Sequence, residues 1–280
     1  MNSALKVVGL VLLISAIIPG LFYVGLILWG DWHDDWSGFN SSQYISDGIC
    51  NIAVIPVTGD LTTFGTSLDE SGEELLSTSM SDTLGLIGKA EKDPGIAGIM
   101  LLVDSGGGSG AAGQFIADEL KKSEMPTAAY IFDIGASAAY MAASGADTII
   151  ASPFASVGSI AVTMSYLDYS EQNTIQGLTF VDLASGKFKD AGSPDRPLAD
   201  NERALFERDL KIWHEEFVKL IAENRQLPEA DVVALADGST LPASLALENK
   251  LIDQIGNKET ARAWFAGELE LPVEDVTFCQ

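Results

Sequence analysis

The sequence is short of the residue types from which many active sites are built. It has two histidines, His33 and His214. That is too few for a metal cluster, and "HEEFV" at 214–218 lacks the second histidine of a zinc-protease helix. The two cysteines, Cys50 and Cys279, form neither a C-x-x-C pair nor a zinc pattern. No metal and no cofactor are therefore expected. Positive charge is scarce too: 16 Lys and Arg stand against 40 Asp and Glu, a formal net charge of −24. Such a balance repels phosphate backbones and sets nucleic-acid binding aside. It reads as a solvated acidic surface. Internal repeats and low-complexity segments are also missing. What remains is a chain of 280 residues, 47% hydrophobic, long enough for one large domain or two small ones around a sizeable core.

The longest uncharged run is "VVGLVLLISAIIPGLFYVGLILWG", residues 7–30. As a helix it would extend about 36 Å, enough to cross a bilayer. Pro19 would kink it, which membrane helices tolerate. Tyr23, Trp29, Trp32 and Trp36 supply aromatic anchors toward its far end. A cleaved signal peptide would have a shorter apolar region and a small-x-small site after it, and "DWHDDWSGF" offers none. Lys6 precedes the run, and Asp31, Asp34 and Asp35 follow it, so the positive-inside bias puts the N-terminus in the cytoplasm. The expected layout is a cytoplasmic tail (1–6), a transmembrane anchor (7–30), a polar tether (31–48) and a folded domain outside the cytoplasm (49–280). In that setting a bridge between Cys50 and Cys279 is chemically allowed and would close a large loop. The sequence leaves the paired and unpaired states both open.

Beyond the tether, apolar runs alternate with helical periodicity. "NIAVIPV" (51–57), "GIMLLVD" (98–104), "TAAYIFD" (127–133) and "DTIIAS" (147–152) read as strands. "SGEELLSTSMSDTLGLIGKAEKD", "GSGAAGQFIADELKKSE" and an alanine-rich segment from Ser137 read as helices between them. This alternation predicts α/β layering with buried strands. "GSIAVTMSY" and "LTFVDLAS" are later strand candidates. Residues 199–226 form the longest predicted helix, with an apolar stripe of Leu205, Leu210, Trp213, Phe217, Leu220 and Ile221.

Three islands could carry chemistry. "VDSGGGSG" (103–110) ends a strand in a glycine run before a helix; glycines let backbone N–H groups approach a ligand, and they also make an ordinary flexible turn. It lacks the Lys-Ser/Thr of a phosphate loop. "GASAAY" (135–140) puts Ser137 at a strand-to-helix turn, where a nucleophile would be exposed. Small residues around a serine also suit tight helix packing, and the pattern is not G-x-S-x-G. "ASGKFKDAGSPDRP" (184–197) holds Lys187 and Lys189 beside an apolar segment. They could be two solvated surface lysines. A lysine that loses solvation, however, can act as a general base near neutral pH, and Ser–Lys dyads are a variant of the serine triad.

These islands, in this order, resemble the signal peptide peptidase A family of membrane-anchored serine proteases with a Clp/crotonase-type fold. The family's N-S-P-G-G-S segment matches Asp104-Ser105-Gly106-Gly107-Gly108-Ser109. Its A-S-G-G-Y matches Ala136-Ser137-Ala138-Ala139-Tyr140, and its G-S-I-G-V matches Gly158-Ser159-Ile160-Ala161-Val162. Its S-G-x-x-K-D matches Ser185 to Asp190, and "LENKLIDQIG" (247–256) resembles a further family segment. The resemblance covers about residues 50–260. It implies Ser137 as nucleophile, Lys189 as base, Ser159 as the residue that orients the lysine, and the N–H groups of Gly107 and Ala138 as the oxyanion hole. It also implies peptide substrates such as remnant signal peptides, attachment to the membrane, and a ring-like homo-oligomer whose neighbours help complete each site. Ile212 and Val218 on the long helix, outside the core stripe, are apolar surface of the kind such an assembly would cover. The sequence departs from the family at Gly106, Ala138, Ala139 and Ala161; an alanine keeps its N–H but tolerates a positive φ poorly. A non-catalytic membrane scaffold and a crotonase-like acyl-CoA enzyme are the alternatives on the same fold.

Overall fold

The computed structural model describes Ser46 and residues 48–279 apart from Glu70. The anchor expected at 7–30, the cytoplasmic tail and most of the tether lie outside these residues. Among the described residues no helix is long and apolar enough to cross a membrane.

The apolar run that begins at 51 forms β1 (Ile52–Thr62), followed by β2 (Ser67–Leu68), β3 (Glu74–Leu75) and β4 (Ser77–Ser79). Then come α1 (Met80–Ala90), β5 (Gly98–Gly108), α2 (Gly110–Lys122), β6 (Thr127–Ala136), α3 (Ala138–Ala143), β7 (Thr148–Ala151) and β8 (Ser156–Gly158). The chain continues through α4 (Ser170–Ile175), α5 (Asp200–Arg225), α6 (Glu229–Leu235), β9 (Thr240–Pro242) and α7 (Ala243–Glu248). It ends in β10 (Gln254–Ile255), α8 (Lys258–Glu268) and β11 (Phe278–Cys279).

The main sheet runs β10-β7-β6-β5-β1-β11, with β4 added along β1 and β8 along β6. Every pairing in it is parallel except β8 with β9. Parallel strands joined by helices are covered on both faces, so they read as unbroken apolar runs. Accordingly Ile99 to Val103 of β5 and Thr127 to Ile131 of β6 are buried throughout. Pro56 sits inside β1 where only β5 pairs with it, since β11 takes residues 52–53 and β4 takes 60–62. The missing N–H therefore interrupts at most one ladder.

Two expected features differ. The helix predicted across residues 71–93 is shorter and starts at Met80; the preceding residues pair as ribbon because β1 and the β2–β3 pair take up their backbone groups. The strands predicted in 158–166 and 178–185 do not extend beyond Gly158. Residues 178–185 have strand-like composition but pair with no strand among the described residues, and their side chains are exposed.

Helices α2 and α3 pack at backbone distance. A Cβ at Gly113 would meet the Ala138 carbonyl oxygen at 2.4 Å, and one at Gly145 would meet the Ala117 carbonyl oxygen at 2.3 Å. Tyr140, fully buried on α3, donates its hydroxyl to the Leu251 carbonyl at 2.8 Å, so α3 is pinned from both sides. The C-terminal half of α5 packs through Phe217, Val218 and Ile221, so Val218 belongs to the core and not to the surface expected for it; Ile212, and Trp213 of the expected core stripe, remain about half exposed because the N-terminal half of the helix has little packed against it. Arg225 closes that end with paired bonds to Asp253 at 2.6 and 3.1 Å. Cys50 and Cys279 are joined in a disulfide with a Cα–Cα distance of 5.0 Å. The sheet makes this possible: Ala53 of β1 is in register with Cys279 of β11.

Candidate active site

Strand β5 runs four residues beyond its expected end, through the glycine run. The extra length is held by β1, with Asp60 opposite Gly107 and Leu61 opposite Gly108 after a register shift. Two of its three glycines are required by the backbone. Gly107 and Gly108 have φ of 109° and 141°, and a Cβ at Gly108 would lie 2.3 Å from the Leu61 carbonyl oxygen. At Gly107 the Cβ would lie 2.7 Å from the Cβ of Ser137 and 3.0 Å from the backbone nitrogen of Ala138. The first and second islands are thus brought into direct contact.

Ser137 is the single residue between β6 and α3. Its φ of 51° and ψ of −125° are unusual for a residue with a side chain. The conformation is held by a 2.7 Å bond from its N–H to the Gly158 carbonyl and by Met141 N–H donating to its own carbonyl at 2.9 Å. Its side chain is half-buried and lines a groove of about 630 Å³ between α2, α3 and α5. Ala138, Met141, Phe217 and Leu220 supply apolar lining; Asp118, Lys121, Glu216 and Glu223 add charge along the helices. Ala138 opens α3, so its N–H has no helical carbonyl four residues back to donate to. The N–H of Gly107 donates to the Ser105 hydroxyl at 3.1 Å, and that hydroxyl donates to the Gly59 carbonyl at 2.6 Å. Gly108, which is not among the residues expected at the site, lines the groove beside Ser137. Three consecutive glycines give no local signal as to which one meets the serine.

The departures from the family pattern are accommodated. Gly106 has open space where a side chain would go. Ala138, Ala139 and Ala161 are not among the residues with positive φ, so a Cβ adds no strain there.

Ser159 follows the Gly158 that binds Ser137, and it too has a positive φ, 53°. Its hydroxyl donates to the Gly238 carbonyl at 2.9 Å and its N–H to the Ser239 carbonyl at 3.0 Å. Lys189 lies elsewhere. It is exposed and lines a separate cavity of about 460 Å³ with Phe180, Asp182 and Asp190. Within one chain the structure brings together Ser137, Ala138, Gly107 and the backbone beside Ser159, but not Lys189. Lys187 stacks over the ring of Phe188, 4.9 Å from its centroid. No group of three or more metal-binding side chains occurs among the described residues.

The model of peptidase family S49 matches residues 119–271, a span that contains Ser137, Ser159 and Lys189 but not Gly107. A candidate protease of Methanocaldococcus jannaschii is 33% identical over 181 residues, covering 64% of this chain and 58% of that protein. A candidate signal peptide peptidase SppA of Enterococcus faecium is 32% identical over 176 residues, covering 62% and 51%. Protease 4 of Haemophilus influenzae is 29% identical over 205 residues, covering 69% of this chain and 32% of that protein. The chain thus spans little more than half of the first two relatives and about a third of the last. Among solved structures, a mutant ClpP1 of Listeria monocytogenes aligns at 14% identity with a TM-score of 0.47, covering 74% of this chain and 92% of that chain.

Proposed function

Because the chain belongs to peptidase family S49, the family of the signal peptide peptidase A enzymes, we propose that it is a serine endopeptidase with Ser137 as nucleophile and Lys189 as general base. The observation that carries this reading is the backbone of Ser137, held at φ 51° and ψ −125° between strand and helix with Gly107 pressed against it. Strain of this kind costs on the order of 1–3 kcal/mol and persists where the surroundings enforce it. It turns the hydroxyl toward the groove. A serine chosen only for its small size would have no need of it.

In the proposed reaction the Ser137 hydroxyl oxygen attacks the scissile carbonyl while the neutral amine of Lys189 accepts its proton. The lysine then passes that proton to the leaving amine, and water repeats the sequence on the acyl-enzyme. The oxyanion is received first by the Ala138 N–H. Gly107 joins it if its bond to Ser105 opens when substrate binds. A lysine serves as base only when neutral, which loss of solvation favours. That requirement, and the separate cavities of Ser137 and Lys189, support a base supplied by a neighbouring copy. The exposed apolar side chains of Leu167, Ile175, Leu178, Val181 and Leu183 support the same assembly.

The apolar part of the groove suits short apolar peptides, such as the remnants of signal peptides. The disulfide supports a domain outside the cytoplasm, since such bonds persist in oxidising compartments. The apolar run at 7–30 supports a membrane anchor. The test is labelling of the full chain with a serine-reactive fluorophosphonate. The expected result is one labelled serine, lost in Ser137→Ala. Absence of labelling in the folded wild-type assembly would favour the scaffold or the acyl-CoA enzyme.

A further inference from the structure

The segment that carries Lys189 has little structure of its own. Between the end of α4 and the start of α5 the chain forms no helix or strand. Its local order comes from turns, with Lys189 N–H donating to the Gly186 carbonyl at 3.0 Å and Ser193 N–H to the Asp190 carbonyl at 3.3 Å. Tyr169 N–H donates to the Pro194 carbonyl at 2.6 Å, and the Asn173 amide donates to Asp195 at 2.9 Å, which tether the later part to α4. The residue next to the lysine is held by something stronger. Arg196 donates from Nη2 to the backbone carbonyl of Asp190 at 2.9 Å. The same guanidinium pairs both its terminal nitrogens with the Glu202 carboxylate, at 2.8 and 2.6 Å. Glu202 sits in the first turn of α5, is 4% exposed, and also accepts from the Ala199 N–H at 3.2 Å.

The path is short and made of charge-assisted bonds. It runs from the first turn of α5 through Glu202 and Arg196 to the carbonyl of Asp190, one residue from Lys189. We propose that Arg196 and Glu202 are positioning residues: the planar guanidinium clamps the lysine-bearing turn to the start of α5 and so fixes where the Lys189 amine is presented. Arginine is needed because one planar fork serves a carboxylate and a carbonyl at once, which a lysine ammonium matches poorly. Burial of Glu202 keeps this end of the clamp from competing water. The inference rests on Lys189 as the base. It adds that the base is held in place by an ion pair outside the groove.

The test uses the full chain in its assembled form, with steady-state hydrolysis of an apolar peptide. Misplacing a catalytic group by about 1 Å can cost on the order of 10²-fold in rate. Arg196→Ala is therefore expected to lower kcat by about 10- to 100-fold with KM changed by less than about threefold, since the clamp acts on the base and not on the groove. Added guanidinium ion should recover part of that kcat. Glu202→Gln, which keeps the size and the Ala199 bond, should lower kcat in the same sense by a smaller factor. Arg196→Lys should fall between wild type and Arg196→Ala. If Lys189→Ala is inactive while Arg196→Ala and Glu202→Gln keep wild-type kcat, the clamp is refuted and the dyad stands. A proportional rise in KM with loss of assembly, unrelieved by guanidinium, would make the pair merely structural and overturn the inference. Full activity in Lys189→Ala would remove the dyad and the clamp together.

Discussion

Gly107 and Gly106 are adjacent, yet the structure assigns them opposite tolerances. In Gly107→Ala the new methyl would lie 2.7 Å from the Ser137 Cβ, 2.9 Å from the Ala136 carbonyl oxygen and 3.0 Å from the Ala138 nitrogen. Two of those atoms are backbone and cannot rotate away. The residue would also keep a φ of 109°, which side chains rarely adopt. Backbone strain of on the order of 1–3 kcal/mol and overpacking of similar size sum to about 2–6 kcal/mol. For a domain of this length that lowers Tm by on the order of 10 °C. Relaxation must displace either the glycine run or Ser137, and a shift of about 1 Å at a nucleophile costs on the order of 10²-fold in kcat/KM. Gly106→Ala meets nothing within 4 Å and has no left-handed φ. It should leave activity within a few-fold of wild type and raise stability by up to about 1 kcal/mol through the unfolded chain. The assay pairs thermal unfolding with peptide hydrolysis for both variants. Equal Tm and equal kcat/KM in the two would refute the contact between the first two islands.

Lys189→Ala should abolish hydrolysis, while Lys187→Ala, whose ammonium lies over Phe188, should retain most of it; equal losses would refute the choice of base. If neighbouring copies share a site, mixing inactive Ser137→Ala and Lys189→Ala chains before assembly should restore roughly a quarter of wild-type activity under random closure of a ring, and no recovery would place both groups in one chain. The denatured, unreduced protein should show no free thiol, and replacing Cys50 and Cys279 by serine should cost about 2–4 kcal/mol by releasing a large loop, read as a drop in Tm. The Arg196 guanidinium holds the Glu202 carboxyl below its ordinary value through their hydrogen bonds. A lowered folded pKa stabilises above the unfolded value, about 4.3 for Glu, and is lost as pH falls through the folded one. The Tm difference between wild type and Glu202→Gln should therefore be flat from pH 8 to about 5 and shrink below about 4; a difference that vanishes already between pH 7 and 5 would contradict the pair.

The buried strands β1, β5, β6 and β7 were legible in the sequence because parallel strands covered on both faces are unbroken apolar runs, and the long helix α5 because its period is 3.6. Ser137, Ser159 and Lys189 were legible as candidates because their motifs keep their order along the chain. Residues 178–185 misled for a physical reason: composition marks a segment that can pair as a strand, but a strand forms only where a partner is engaged, and among the described residues this segment pairs with none. The family resemblance pointed to Gly107 beside Ser137, and the register of β5 on β1 supplies the physical reason, which three consecutive glycines do not show by themselves. The joining of Cys50 to Cys279 was decided by strand register as well, since β11 returns beside β1 after a separation of 229 residues. The clamp of Arg196 on Asp190 joins residues six apart and was still invisible, because nothing in a loop's composition says which carbonyl a guanidinium will take. Local periodicity depends on neighbours within a turn or a pleat, so the sequence alone determined the buried central strands, the long helix and the residue types at the site. Contacts between distant segments depend on which sheet edges meet and how the loops close over them, so only the tertiary structure decided that β5 extends through the glycine run beside β1 and that Lys189 lines a different cavity.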